Sequence, residues 1–160
     1  MKYVECVDVE GKKYKVPVSK LQWRPSVYGV VIKDGKILLS KQFGDKYDLP
    51  GGGVDLGENL ELAVVREVKE ETGIAVNNPK LLNVAESYFA DRHAIVGENY
   101  HSILFYYECT FVGGEISTDG FDKWEKNYAD KAEWIDLKKI NELKVASSVD
   151  YRPFIKKAFC

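Results

Sequence analysis

No apolar run in the 160-residue sequence approaches the roughly 20 residues that a membrane-spanning helix needs. Residues 1–10 alternate polar and apolar side chains and hold no block resembling the apolar centre of a secretion signal. Cysteine is scarce. Cys6, Cys109 and Cys160 are odd in number and scattered, which fits neither metal-ligand spacing nor a disulfide framework. Buried, reduced thiols in a cytoplasmic protein are the expectation. Because Cys160 is the last residue, no prenylation box is formed. Neither sign of charge dominates: 23 Lys and Arg oppose 25 Asp and Glu, a net charge of -2. The whole molecule therefore exerts no long-range pull on nucleic acid or an anionic membrane, and neither is expected as a partner. A polyanionic ligand has to be held by local groups or by a bound cation. Repeats, low-complexity segments and linkers are also missing. With 45% apolar residues to build a core, the chain reads as one domain over residues 1–160.

Residues 3–9 and 12–18 alternate and are rich in strand formers, with Glu10-Gly11 as a turn, so residues 1–18 read as an N-terminal β-hairpin. Pro25 should end the next segment. Residues 26–33 read as a buried strand, Asp34-Gly35 as a hairpin turn and 36–42 as the returning strand. The run Pro50-Gly51-Gly52-Gly53 reads as irregular structure. Residues 60–72 carry an apolar stripe of Leu60, Val64 and Val68 at helical spacing. Asn59 is a suitable N-cap and Gly73 a left-handed terminator, with Ile74 able to pack back on Val68. Strands are expected near 81–89, 102–111 and 132–136, and helices near 137–143 and 151–159. Strands interleaved with helices imply an α/β layer fold.

On the helix over 60–72, Glu67, Glu70 and Glu71 share one face, being related by three and four positions. Like charges so placed repel, and crowding raises the pKa of at least one carboxyl unless a positive group intervenes. Arg66 can pair with Glu70 one turn on but cannot neutralise all three. A hard divalent cation such as Mg²⁺ can, because it favours carboxylate oxygens and shares its remaining positions with phosphates. A Glu-rich helix taken alone is usually a solvated face. Here it follows a triple-glycine loop and a second turn, Gly57-Glu58, and is closed by Gly73.

Gly52, five residues, Glu58, seven residues, then Arg66-Glu67-Val68-x-Glu70-Glu71-x-Gly73-Ile74 matches the Nudix box at all nine specified positions. The chain thereby resembles the Nudix hydrolases (MutT-like), and the strand, Asp-Gly turn, strand and Pro-Gly-Gly order before the box is similar too. The resemblance implies an α/β/α sandwich with a mixed sheet. It implies that Glu67, Glu70, Glu71 and the Gly51 carbonyl hold metal, with Mg²⁺ the expected ion and Mn²⁺ an alternative. It further implies that Arg66 orients the carboxylates, that Glu58 supports the loop, and that Gly52 and Gly73 shape the box.

The activity so implied is hydrolysis of a diphosphate linkage in a nucleoside diphosphate derivative. A (modified) nucleoside triphosphate giving a monophosphate and pyrophosphate is the first expectation for substrate, and ADP-ribose or a nucleotide sugar the second. A nucleotide-binding regulator without turnover is the alternative of a different class, although such a protein would be expected to lose a box carboxylate. A further acid is expected from the loop 113–130, which offers Glu115, Asp119, Asp122, Glu125 and Asp130. Glu125 is preferred as the catalytic one. Arg24, Tyr28 and Arg92 are candidates for substrate binding: arginine binds phosphate bidentately, and aromatic faces stack bases. Trp23, Phe43, Tyr47, Tyr88, Phe89 and Trp124 also sit at segment ends, where packing is the commoner role. Arg92 and His93 fall in an expected long loop running through Asn99, with His93 and His101 read as ordinary loop or strand-edge residues. The hairpin could cap the sheet or offer a homodimer edge.

Overall fold

Asp34 and Gly35 both adopt positive φ, 51° and 73°, which is the backbone a two-residue hairpin turn requires. They join β3 (Gln22–Lys33) to β4 (Lys36–Gln42), which pair only through Ile32–Ile37 and Lys33–Lys36 next to the turn. Beyond it the two strands diverge, and the functional cleft opens where they part. In the computed structural model, which describes residues 1–92 and 97–159, the other strands are β1 (Tyr3–Val7), β2 (Lys13–Pro17), β5 (Lys46–Asp48), β6 (Gly51–Gly53), β7 (Ala75–Asp91), β8 (Glu98–Gly113), β9 (Ala129–Asp136) and β10 (Lys144–Val145). They form one mixed sheet in the order β10-β5-β4-β3-β8-β7-β1-β2, with β6 paired to β3 and β9 to β4. The β3–β8 pair is parallel over Gln22–Tyr100 to Val31–Cys109, and the β7–β8 pair is a long antiparallel ribbon.

Helix α1 (Leu60–Thr72) lies on one face of this sheet and α3 (Arg152–Ile155) on the other, giving the expected α/β/α layering. A third, short helix, α2 (Glu125–Tyr128), follows the loop after β8. Val64 and Val68 of α1 pack with Val27, Val31, Tyr107 and Cys109. Tyr151 and Ile155 pack with Val30, Leu39 and Tyr106 on the opposite side. Helix α1 approaches β3 closely because Gly29 has no side chain: a Cβ there would lie 2.5 Å from Val68 Cγ2. Asn59 caps α1, accepting from Glu61 N and Leu62 N, and Gly73 closes it at φ 78°. The N-terminal hairpin buries Cys6 and Val16 against Ala90.

Several boundaries differ from the sequence reading. Pro25 lies inside β3: its fixed φ suits an extended strand, only a donor is lost, and its carbonyl still accepts from Val54 N. The glycine run is regular after all, since Gly51–Gly53 pairs with Tyr28–Ser26. Only bare backbone fits there, because a Cβ on Gly51 would strike the Val27 carbonyl and sit 2.8 Å from Tyr28 Cα. Strand β7 begins at Ala75 and passes Asn78 (φ 49°) and Pro79 by a register shift between Asn77 and Lys80, which breaks the alternation that marks a strand. The loop expected through Asn99 is shorter, because Asp91 already pairs with Glu98. Strand β9 starts at Ala129 rather than 132. The two expected terminal helices are a 3₁₀ turn over Leu137–Glu142 and a single α turn continued as 3₁₀ over Lys156–Phe159. Segments this short cannot repay helix nucleation. His93 and Cys160 lie outside the described residues, whereas Cys6 and Cys109 are buried free thiols, as expected.

Candidate active site

Helix α1 turns its valines to the sheet, and the same twist carries Glu67, Glu70 and Glu71 to the edge facing the glycine strand β6. Each carboxylate is held differently. Arg66 contacts Glu67 at 2.8 Å and Glu70 at 3.0 Å through Nη1. It also grips Glu58 bidentately, with Nε and Nη2 each 2.7 Å from a carboxylate oxygen, and donates to the Gly53 carbonyl at 3.3 Å. Glu58 in turn accepts from Asp55 N. Loop and helix are thus tied together by one guanidinium, whose bonds hold the Glu58 carboxyl down at about 2.

Arg66 does not reach Glu71. That carboxylate is buried and accepts from Ser40 Oγ at 2.7 Å and Gly51 N at 3.1 Å, neither of them charged. Burial pushes its pKa well above the usual carboxylate range, against those two hydrogen bonds. Burial likewise raises Glu67 to about 7, opposed by Arg66. Gly52 leaves room for Glu67, since a Cβ at that position would come within 2.8 Å of Oε2. Ser40 was not singled out from the sequence. Its only signal is a lone hydroxyl ending the apolar run Ile37-Leu38-Leu39.

Arg66, Glu67, Glu70, Glu71 and the glycines of β6 line a cleft of about 980 Å³, with Ser40 and Glu58 behind them. Its floor is strand β3, which presents Arg24, Ser26 and Tyr28 at alternate positions, with Ser102 and Leu104 beside them on β8. Ser26 and Ser102 are 3% and 5% exposed, and their hydroxyls have no hydrogen-bond partner among the described residues. Arg24 lies over the Tyr100 ring, 5.0 Å from its centroid, and makes no ion pair among the described residues. Phe43, Phe89, Trp124 and Tyr128 also line the cleft. Of the acids in the loop after β8, Asp122 and Glu125 reach it; Glu115, Asp119 and Asp130 do not. Glu125 is lifted above its ordinary pKa by burial, with Asp122 and Glu70 adding to the effect, and Oε2 accepts from Asp122 N at 2.7 Å.

Arg92 is placed elsewhere: its guanidinium sits 4.4 Å over the Tyr14 ring and donates to Asn99 Oδ1 at 2.8 Å, outside the cleft lining. Trp23, Tyr47 and Tyr88 also lie outside it. Trp23, His101 and Tyr88 instead form a ring ladder across β3, β8 and β7.

Eight carboxylates and two arginines line the cleft among the described residues. No phosphate enters such a field favourably unless cations accompany it. Among the described residues no three His, Cys, Asp or Glu side chains converge closely enough to enclose an ion by themselves. The observed pairing explains this, since Glu67 and Glu70 lean to Arg66 while Glu71 leans to Ser40. The donor set nonetheless fits a hard divalent ion, which keeps several waters and takes only one or two carboxylates from the protein.

A family model described as the NUDIX domain matches residues 22–157. The chain is 35% identical over 152 residues to a Methanocaldococcus jannaschii protein named ADP-ribose pyrophosphatase, covering 86% of this chain and 82% of that one. It is 43% identical over 63 residues to an RNA pyrophosphohydrolase of Actinobacillus pleuropneumoniae, covering 38% of this chain and only 30% of that protein. Among solved structures, the mutator MutT protein from Bacillus halodurans is similar with a TM-score of 0.62 and 26% identity, covering 83% of this chain and 80% of that one.

Proposed function

The chain belongs to the Nudix family, hydrolases of phosphoric anhydrides in nucleoside diphosphate derivatives, and from that premise we propose that its substrate is a nucleoside diphosphate joined to a sugar, of the ADP-ribose type. Water adds at one phosphorus of the diphosphate and the bridging oxygen leaves with the other phosphate. ADP-ribose would give AMP and ribose 5-phosphate.

The observation that carries this choice is the charge at the end of the cleft beyond Arg24. Asp91 and Glu98, paired across β7 and β8, line it together with Ser87. The carboxylates accept hydrogen bonds from a polyol and repel the third phosphate of a nucleoside triphosphate, while the hydroxyl can bond to either. The relative named ADP-ribose pyrophosphatase supports the same reading. A regulator without turnover has no comparable support, since every box carboxylate is retained.

In this reading the ligands of a divalent ion, Mg²⁺ or Mn²⁺, would be drawn from Glu67, Glu70, Glu71 and the Gly51 carbonyl, one or two carboxylates at a time. Bound there, it would neutralise phosphate charge and make a nearby water more acidic. Ser40 and Arg66 aim the carboxylates, and Glu58 anchors Arg66. Arg24 presents a guanidinium to the phosphate oxygens from the floor. Glu125, whose burial favours proton uptake, takes the proton of the attacking water.

The test is turnover on ADP-ribose, a UDP-sugar and nucleoside triphosphates, each with Mg²⁺ and with Mn²⁺. ADP-ribose or the nucleotide sugar should be preferred, and Glu71→Gln should lose several orders of magnitude while staying folded. Preference for a triphosphate would refute the substrate class, and parental turnover by Glu71→Gln would refute the assignment of the site.

A further inference from the structure

Asp48, at the end of β5, has no place in the chemistry described so far. It is 7% exposed yet lines the cleft. Its carboxylate accepts a hydrogen bond from Leu49 N at 2.7 Å, and among the described residues no Lys, Arg or His pairs with it. A buried carboxylate without a cation is costly, and such groups persist where something else requires them. Beside it the cleft has an aromatic and aliphatic wall, while Ser40, its partner across β4 and β5, holds the Glu71 carboxylate nearby. The Tyr28 ring, backed by Tyr106 at 5.4 Å, and Leu104 supply the walls, with Ser147 beyond. The tyrosine wall is fixed, because Tyr106 is itself wedged against Phe154 at 4.8 Å.

The two ends of the cleft therefore differ in kind. Along β3 the floor runs from Tyr28 through Ser26 to Arg24, about 13 Å for four residues of strand. Level with Arg24 lie Ser102 and Ser87, and past it the paired carboxylates already assigned to a sugar. At the Tyr28 end an aromatic wall meets a buried carboxylate that no cation or helix arginine among the described residues engages, and the glycine strand beside the carboxylate helix is paired to this same stretch of β3. A planar heterocycle with an N–H donor on its edge matches the Tyr28 end, whereas a polyol would leave its hydroxyls against ring and leucine carbon.

We propose that Asp48 reads the nucleobase, accepting a hydrogen bond from an exocyclic amine such as that of adenine, so that it sets base specificity. This rests on the reading that the cleft takes a nucleoside diphosphate derivative and adds which end of the ligand lies where. Asp48 is then a specificity residue and carries no proton in the reaction.

The test compares binding of AMP with purine riboside 5′-monophosphate, which lacks only the amine, by titration calorimetry on the full chain with Mg²⁺ present. The parent should bind AMP about 10- to 100-fold more tightly, the usual margin when a buried charged acceptor loses its donor. Asp48→Ala should abolish the difference, and Asp48→Val, which fills more of the volume, should do the same if the alanine variant fails to fold. Asp48→Asn keeps a carbonyl acceptor and should restore part of the preference. With ADP-ribose these variants should raise KM and leave kcat near the parent. A parent that binds both nucleotides equally overturns the proposal, as does a ratio unchanged in the Ala or Val variant. Loss confined to kcat would also overturn it. Absence of turnover on ADP-ribose would count against the proposed substrate class instead, because the binding ratio is measured without it.

Discussion

Gly120 sits against the backbone of α1, so that a Cβ added there would lie 2.7 Å from Glu70 Cα and 2.9 Å from Glu70 C. Carbon atoms in ordinary contact stand about 3.5–4 Å apart. Gly120→Ala therefore forces loop and helix to separate by about 1 Å, because neither neighbour is a flexible side-chain tip. The loop is pinned on one side by Ser117 N donating to Thr72 O, and it leads directly into Asp122 and Glu125. Separation therefore shifts Glu125 relative to Glu67 and Glu71. A displacement of this size costs about 100-fold in rate when reacting groups must be held in near-attack geometry. Overpacking of this kind costs about 1–3 kcal/mol of stability, so the protein should remain folded with a lower Tm. Gly113→Ala is the control, since nothing lies within 4 Å of a Cβ there. Steady-state kinetics on the preferred substrate, with Tm measured for both variants, decides the matter. If Gly120→Ala keeps kcat/KM within a factor of about two of Gly113→Ala, seating of the loop on the helix does not organise the site.

Ser40→Ala should weaken binding of Mg²⁺ or Mn²⁺ about 10- to 100-fold, because Glu71 loses the hydroxyl that aims it; unchanged metal titration curves would dismiss that role. Arg24→Ala should raise KM about 10- to 100-fold, whereas Arg92→Ala should leave it near the parent, since only Arg24 faces the cleft; equal effects would contradict the cleft geometry. Asp48 gives a pH signature in the metal-free protein. Burial lifts its folded pKa to about 7, so between about pH 4 and 7 the native state binds the extra proton and stability falls as pH rises, by at most about 4 kcal/mol. Asp48→Asn removes that loss. Its unfolding free energy in urea should gain on the parent across this window, and a difference that stays flat with pH would show that the acid is not desolvated.

The elements most legible in the sequence are those whose causes are local. Helix α1 is announced by a stripe, a cap and a terminator within 15 residues, and the Asp34-Gly35 hairpin by two residues with positive φ. Boundaries failed where distant partners decide. Gly51–Gly53 has no strand propensity and becomes a strand because Ser26–Tyr28 offers it an edge that only bare backbone can reach. Pro25 stays within β3 because β8 continues the ladder past it from Gln22–Tyr100 onward. The start of β7 was hidden by Asn78 and Pro79, where a register shift breaks the alternation that marks a strand.

The same division runs through the site. Arg66, Glu67, Glu70 and Glu71 lie within six residues of one helix, so spacing alone places them together, while Glu58, in the loop before the helix, was reached through the resemblance of the box. Ser40, Asp48, Ser26 and Ser102 come from four different strands, and no spacing relates them. Arg92 shows the converse: its loop position suggested access to a ligand, and its guanidinium sits over the neighbouring Tyr14 of the N-terminal hairpin, outside the cleft lining. The readable half is also the half shared by any chain with this box, since it binds charge and holds a loop. Discrimination between ligands has to come from the floor, where Arg24, Ser26 and Tyr28 alternate with core residues and are chosen by the neighbouring strand. Exchanging floor residues should therefore change which nucleotide derivative is bound while Glu71 and Arg66 keep their contacts. Exchanging the helix carboxylates should abolish turnover without altering that preference.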